Sequence, residues 1–145
     1  MAPSLAGSVE LTFDDGPDPV WTRAILAALR GSPLRATIDR DTERALAVLA
    51  SLGIRPRRWR TPGGVHAPWT HEIAAAHELE LCGWDIDTND WRGHRAERML
   101  AAAGPDLHHG AVVRLHDGVG PGALRDGCEE TVRFARFMAA EAVAA

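Results

Sequence analysis

Lysine is absent from the 145-residue sequence, so arginine supplies all 16 basic residues against 20 acidic ones and the formal net charge is −4. A surface that wraps nucleic acid is therefore not indicated, because such surfaces are strongly basic. The two cysteines, Cys82 and Cys128, have neither CxxC spacing nor the density of a disulfide scaffold. We predict that they are small buried apolar side chains or free thiols.

Long apolar runs are also missing, since no stretch approaches the roughly 20 residues that a membrane-spanning helix requires. The first eight residues have no basic region followed by an apolar segment, so no secretory signal is recognised. The sequence as written predicts a cytoplasmic product, or a cell-wall or extracellular one if the N-terminus is incomplete. Hydrophobic residues at 46% and charged residues at 25% predict one folded domain over residues 1–145.

Strand-forming and helix-forming segments alternate along the chain, with Asp18 at the start of the first helix and Asp39 as the N-cap of the second, which ends at Gly53. This alternation predicts an α/β fold with a mostly parallel sheet, or an open barrel of about five strands. The length is short of the roughly 200 residues of a complete (β/α)8 barrel. The predicted strands are 9–13, 34–38, 57–61, 81–86 and 111–115, and the later helices are 68–79, 94–103 and 124–144.

Polar clusters follow four of these strands, at 14–15, 60–64, 87–91 and 116–117. The carboxyl ends of parallel strands share one face of the sheet, so we expect these clusters to meet in one cleft. The adjacent carboxylates Asp14 and Asp15 suit a division of labour, in which one binds a divalent cation and the other takes a proton from water. Taken alone, Asp-Asp-Gly-Pro is more often a turn with solvated carboxylates.

The four clusters resemble, in the same order, the motifs of the polysaccharide deacetylase family, carbohydrate esterase family 4, which shares the NodB homology domain. The matching segments are Thr-Phe-Asp-Asp-Gly-Pro at 12–17, Arg-Thr-Pro-Gly-Gly at 60–64, Asp-Thr-Asn-Asp-Trp at 87–91 and Leu-His-Asp at 115–117. The resemblance implies a distorted (β/α) barrel. It also implies a hydrolase that removes acetyl groups from amino-sugar polymers or related small acyl amides.

The resemblance assigns catalytic roles to four side chains. Asp14 would be the general base, and Arg60 would keep it ionised through a charge-assisted hydrogen bond. His116 would be the general acid that protonates the leaving amine, and Asp90 would orient its imidazole. Without the resemblance, Arg60 could belong to a solvated basic stretch. His116 could likewise be a strand-end histidine bonded to the backbone.

The resemblance also assigns the binding groups. The backbone N–H of Gly63 would lie in the oxyanion hole, where glycine lets the backbone approach the substrate. Trp91 and Leu115 would form the apolar walls around the acetyl methyl group, although Trp91 could equally belong to the core. Asp15 would be a ligand of a divalent metal, zinc by the family's pattern.

One family motif is missing from the sequence. The family takes two further zinc ligands from a His-x-x-x-His motif between the segments that correspond to 12–17 and 60–64, but none of the 42 residues between Pro17 and Arg60 is histidine. We therefore predict an internal deletion near 37–38 of at least one βαβ unit, on the order of 30 residues. Loss of a strand pair predicts unpaired edges and an open sheet or a homodimer formed through them.

A catalytic zinc normally has three protein ligands, so Asp15 alone would bind it weakly. His66 or His94 could rebuild a site, but strict ligand geometry makes surface histidines the default. Two other function classes stand beside the hydrolase. One is a catalytically inactive carbohydrate-binding or regulatory remnant, and the other is an aspartyl phosphatase with Asp14 as nucleophile. The phosphatase is disfavoured because such enzymes separate their two acidic residues by one position.

Overall fold

The computed structural model describes residues 9–15, 18–32, 35–39, 42–68 and 70–144, and these form six strands and five α-helices. The strands are β1 (Glu10–Asp14), β2 (Arg35–Asp39), β3 (Arg58–Trp59), β4 (Glu80–Leu81), β5 (Ile86–Asp87) and β6 (Val112–His116). The helices are α1 (Trp21–Leu29), α2 (Thr42–Ser51), α3 (Thr70–Ala76), α4 (Ala96–Ala103) and α5 (Glu129–Ala144).

Four strands form an open parallel sheet in the order β2-β1-β6-β5, and β3 and β4 form a separate parallel pair. The predicted α/β fold with an incomplete, open barrel is therefore confirmed. The register pairs Asp14 of β1 with His116 of β6, so these two residues lie side by side at the carboxyl end of the sheet. The edges of this sheet are β2 and β5. Association of two chains through them stays a prediction.

Alternation along the central strands divides the sheet into an apolar and a polar face. Leu11 and Phe13 of β1, with Val113 and Leu115 of β6, have no exposed surface. They belong to the main core cluster, together with residues of α1, α4 and α5. Successive side chains of a strand point to opposite faces, so Thr12, Asp14, Arg114 and His116 share the other face.

The pair β3-β4 has its own small core, in which Trp59, Ala74 and Leu79 are buried. Leu46 of α2 packs against this cluster, so α2 and α3 together cover the second sheet. This second core fixes the position of the chain just before Arg60. Arg60, which directly follows β3, therefore reaches the polar face of the main sheet from the side of β3 and β4.

The structure confirms the start of α1 and corrects the start of α2. The Asp18 carboxylate accepts hydrogen bonds from the backbone N–H groups of Val20 and Trp21, both at 2.8 Å, which satisfies donors left free at a helix N-terminus. Asp39, predicted as an N-cap, is instead the last residue of β2, because the strand extends one residue further than expected. The residue before Thr42 lies outside the described residues.

Two predicted elements have different limits in the structure. The segment 81–86, predicted as one strand, is divided by residues 82–85 into the end of β4 and the start of β5, which belong to different sheets. The last helix was predicted from residue 124, but α5 begins at Glu129. Residues 124–128 stay non-helical, because Arg125 reaches back to the end of β6 and to Asp90.

Within the described ranges, no helix is both long enough and apolar enough to cross a bilayer. Residues 35–39, which include the predicted deletion point near 37–38, form the continuous strand β2. The deletion stays a prediction from the motif pattern. Cys82 and Cys128 are both free thiols, which is one of the two predicted alternatives. Burial raises the pKa of the Cys128 thiol to about 12.

Candidate active site

Asp14 ends β1 with both carboxylate oxygens held by arginines. Its Oδ1 accepts a hydrogen bond from Arg60 Nη1 at 2.9 Å, and its Oδ2 accepts one from Arg114 Nε at 2.8 Å. The predicted pairing of Asp14 with Arg60 is therefore present in the structure. The pairing with Arg114 was not predicted.

Arg60 enters the polar face of the sheet from the end of β3 and is only 2% exposed. Its Nη2 donates to Thr12 Oγ1 at 2.7 Å and to the carbonyl oxygen of Gly83 at 2.6 Å. Thr12 in turn donates to the carbonyl oxygen of Val113 at 3.0 Å. A buried guanidinium is tolerated only when charge and hydrogen bonds compensate for the lost water, and Asp14 supplies that charge here.

His116 ends β6 with its imidazole hydrogen-bonded to Asp90, as predicted. The Nδ1 atom lies 2.7 Å from Asp90 Oδ1, and the backbone N–H of His116 donates to Asp90 Oδ2 at 3.0 Å. Burial opposes protonation of the imidazole, but the hydrogen bond and charge of Asp90 outweigh it and raise the pKa of His116. Burial would raise the pKa of Asp90, but the hydrogen bond from His116 and the charge of Arg125 together lower it.

Two residues that the sequence did not single out complete the Asp90 network. Arg125 Nη1 donates to Asp90 Oδ2 at 3.0 Å, and Thr131 Oγ1 donates to the same oxygen at 2.7 Å. Arg125 Nη2 donates to the carbonyl oxygens of His116 and Gly118, at 3.0 and 3.1 Å. Arg125 was predicted inside a helix, and no short motif in its neighbourhood marks it as a partner of Asp90.

Arg114 and Trp84 also belong to the site and were not predicted as site residues. The Arg114 guanidinium carbon lies 4.5 Å from the centroid of the Trp84 ring, and that of Arg60 lies 5.0 Å from the same ring. Gly64 packs so closely on Trp84 that an added Cβ would approach the ring to 2.7 Å. Side chains two residues apart on a strand point to the same face. The sequence could therefore have indicated that Arg114, two residues before His116 on β6, faces the site.

Asp15 lies directly after β1 with a left-handed backbone, at φ 71°. Its carboxylate packs against Gly120 and its carbonyl oxygen packs against Gly118, both in the loop after β6. A Cβ at Gly118 would lie 2.5 Å from that carbonyl oxygen, so glycine is needed for the loop to pass this closely. The position of Asp15 is thus determined by close packing of the backbone.

Asp117 is fully buried beside the same loop. Its carboxylate accepts a hydrogen bond from Thr22 Oγ1, while its Oδ1 has no partner among the described residues. Burial raises the pKa of Asp117 to about 7, against the opposing effect of the Thr22 hydrogen bond. The sequence assigned no role to this carboxyl group beyond membership of the last motif.

The three predicted binding positions differ in their surroundings. Gly63 lies in an exposed turn with φ 63°, a conformation that favours glycine. Trp91 is partly buried in a short 3-10 turn, Asp90–Arg92, beside Asp90. Leu115 is fully buried in the main core cluster, so it faces no open groove in this structure. The roles of these residues toward a substrate stay predictions.

The described residues do not match the donor set of a catalytic zinc. They contain no group of three histidine, cysteine, aspartate or glutamate side chains placed to hold a metal ion. His66, one candidate for a rebuilt site, is exposed and has the ring of His71 at 6.0 Å, and His94 is half-buried. Asp15 therefore has no second and third ligand in the described part of the chain, and a lone carboxylate holds zinc weakly.

The chain has relatives both in sequence and in fold. The chain is 29% identical over 188 residues, covering 94% of this chain and 79% of the relative, to the chitooligosaccharide deacetylase of Rhizobium leguminosarum bv. phaseoli. The corresponding protein of Bradyrhizobium sp. is 27% identical over 173 residues, covering 87% of this chain and 78% of the relative. No family model matches the chain.

Among solved structures, the family 4 carbohydrate esterase from Streptomyces lividans, in complex with acetate, superposes with a TM-score of 0.69. It is 22% identical, and the match covers 96% of this chain and 89% of that chain. The sequence relatives, this shared fold and the four motifs in order agree. These comparisons support the resemblance of the chain to the polysaccharide deacetylase family. The Rhizobium and Bradyrhizobium relatives are named as deacetylases, which agrees with the predicted enzyme class, a hydrolase.

The alignments also bear on the motif that is missing from the sequence. The aligned span of 188 residues is longer than the whole 145-residue chain, so the relative has residues within this span that the chain lacks. An internal deletion near 37–38 stays a prediction.

Proposed function

We propose that this chain binds an acetylated amino-sugar polymer, or a related small acyl amide, and hydrolyses its acetyl amide bond. The observation that carries the proposal is the placement of Asp14 and His116 as register partners at the carboxyl ends of β1 and β6. Each has a charged partner, since Arg60 binds Asp14 and Asp90 binds His116. A base and an acid on adjacent strands suit a reaction that takes a proton from water and gives one to the leaving amine.

In the proposed reaction, Asp14 accepts the proton of the attacking water. The carbonyl oxygen that becomes negative is stabilised by the backbone N–H of Gly63, in the turn that follows Arg60. Trp91 provides an apolar surface near the acetyl group. Leu115 would contribute as predicted only if the substrate reaches the buried end of β6.

His116 then gives a proton to the nitrogen of the departing amine. The raised pKa of His116, due to Asp90, favours the protonated imidazole that this step requires. Asp90 itself stays ionised, because Arg125 and Thr131 bind it in addition to His116. We therefore expect the rate to fall as the pH rises through the pKa of His116.

The family's divalent metal, predicted to be zinc, would polarise the acetyl carbonyl and its attacking water. Only Asp15 is at hand to hold it among the described residues, and that donor set does not fit zinc. No step above depends on the metal. Metal dependence of this chain therefore stays a prediction, to be tested together with activity.

The test is acetate release from N-acetylglucosamine oligomers by the purified protein, with EDTA and, separately, with added zinc. We expect release that is lost in His116→Ala and Asp14→Asn, and retained in Arg133→Ala, a change at an exposed arginine whose ion pairs are with Glu97 and Glu130. Circular dichroism establishes that each variant is folded. If wild type and His116→Ala release equally little acetate under both conditions, the proposed hydrolysis is wrong.

A second candidate function is binding of the same carbohydrate without turnover. It is favoured by the mismatch between the described donor groups and a three-ligand metal site. Chemical shift changes around Trp84 and Trp91 on addition of the oligomer, without acetate release, would support it. Phosphate release from an aryl phosphate, lost in Asp14→Asn, would support the phosphatase alternative instead.

A further inference from the structure

Arg114 stands between the two proposed reactive groups of the site. Its Nε donates to Asp14 Oδ2 at 2.8 Å, its Nη1 donates to Asp87 Oδ2 at 3.2 Å, and its Nη2 lies 3.4 Å from His116 Nε2. The three contacts reach strands β1, β5 and β6. No other side chain of the described site touches all of Asp14, Asp87 and His116.

We propose that Arg114 is the fixed positive charge of this site and that it binds a carboxylate of the ligand. The proposal deepens the proposed function, on which it rests for the location of the site. It explains how a site whose donor groups do not fit zinc still presents a cation beside Asp14 and His116. An anionic oxygen held there would lie next to both residues.

Arg114 keeps donors available for a ligand. A guanidinium has more N–H groups than its three contacts use, and both terminal nitrogens carry two. The fork of Arg is matched to the two oxygens of a carboxylate, which it binds through parallel hydrogen bonds. The unused N–H groups of Nη1 and Nη2 are therefore the donors that we assign to the ligand.

Exposure distinguishes Arg114 from the other arginines of the site. The side chains of Arg60 and Arg125 are 2% and 7% exposed, and their contacts are internal. The side chain of Arg114 is 18% exposed, so a ligand can reach it from solvent. Stacking on Trp84 and anchoring in β6 limit its movement, so little order is lost when a ligand binds.

Two sources could supply the carboxylate. One is free acetate, the product of the proposed reaction, and the other is an acidic sugar within the polymer. Both present the same pair of oxygens to Arg114. The probes below, acetate and glucuronate, distinguish the two sources, and neutral N-acetylglucosamine controls for binding through the sugar ring alone.

The experiment is a titration of the isotope-labelled protein with sodium acetate or sodium glucuronate, in EDTA at constant ionic strength, followed by NMR of arginine side-chain N–H signals. We expect saturable binding of at least one anion. Arg114→Leu should weaken it at least tenfold, Arg114→Lys should weaken it less, and Arg133→Ala should leave it unchanged. Saturation by glucuronate alone assigns the acidic sugar, and saturation by acetate assigns the product.

Three results would overturn the inference: no saturable binding of either anion to wild type, equal affinity in folded Arg114→Leu, or binding that appears only after zinc is added. Where Arg114→Leu fails to fold, the same comparison is made with Arg114→Lys and Arg114→Gln. Anion binding that depends on Arg114 without acetate release would remove the proposed hydrolysis and keep this inference. Acetate release without anion binding would support the proposed hydrolysis and overturn this inference.

Discussion

Asp14 and His116 are neighbours across β1 and β6, but their surroundings differ. His116 rests on Asp90, which is 1% exposed and accepts hydrogen bonds from Arg125, Thr131 and the His116 backbone. Asp14 is 15% exposed and shares one of its two arginines with Asp87. We call these the acid half, around Asp90, and the base half, around Asp14.

In the acid half each charge has a partner of opposite sign, and only the Nε of Arg125 lacks a hydrogen-bond partner among the described residues of this half. The base half has two guanidinium groups, one of them open to solvent, and Asp15 has no metal-binding companions among the described residues. The comparison teaches that two neighbouring parts of one site can differ in how completely their charges are enclosed. The half that contains Asp15, the predicted metal ligand, is the half whose contacts are least closed.

The largest effect should come from breaking the acid half with Asp90→Ala. The variant leaves Arg125, 7% exposed, with an uncompensated buried charge. Loss of one partner of a buried pair costs about 3–5 kcal/mol of unfolding free energy. Urea denaturation at pH 7 measures it, with exposed Arg133→Ala as a control expected to lose less than about 1 kcal/mol. Equal losses in the two variants would contradict the assigned difference in burial.

The next effect concerns Asp117, which links the two halves, because its N–H donates to the Asp14 carbonyl oxygen at 2.9 Å. Its pKa of about 7 in the folded protein lies above the ordinary value of 3.8, so the folded state favours the protonated carboxyl. Stability from this group is therefore present at low pH and declines as the pH rises from about 4 to about 7. The decline is at most about 1.4 kcal/mol per pH unit.

Asp117→Asn tests this decline, because the amide cannot ionise and its oxygen can still accept from Thr22. We expect the variant to gain stability relative to wild type between pH 5 and pH 8, measured by thermal and urea unfolding at several pH values. Titration of Asp90 and His116 affects both proteins alike, so the difference between them isolates Asp117. A constant difference across this range would show that Asp117 is ionised throughout.

The smallest effect should come from Arg114→Leu in the base half. Asp14 keeps its ion pair with Arg60, and Asp87, 29% exposed, keeps access to solvent. We expect a loss of about 1–2 kcal/mol of unfolding free energy, close to that of a charge-assisted hydrogen bond. A loss as large as that of Asp90→Ala, in the same urea experiment, would mean that the two halves are equally closed.

The site residues at strand ends could be predicted from the sequence. A β-prone run precedes Asp14 and another precedes His116, so each residue is expected at the carboxyl end of a strand. Parallel pairing then brings the strand ends together. The pairings of Asp14 with Arg60 and of Asp90 with His116 came from the motif resemblance, and both are present.

The remaining site residues depend on tertiary contacts that leave no local signal. Arg125 was assigned to a helix because the apolar spacing of α5 was extended back to residue 124, past Gly127. Trp84 was assigned to a strand, although the Gly83 to Asp85 segment leaves one sheet and enters another. Nothing in the nearby sequence records that Arg125 meets Asp90, since the two are 35 positions apart.

The Asp90 carboxylate joins parts of the chain that are far apart in sequence. It accepts from His116, 26 positions later, and from Thr131 in α5, 41 positions later. Contacts of such separation cost more chain entropy to close than local contacts do, so they form slowly. We therefore expect the imidazole to acquire its native protonation late in folding, once α5 has docked, and a chain released from the ribosome before α5 is complete would have no working acid.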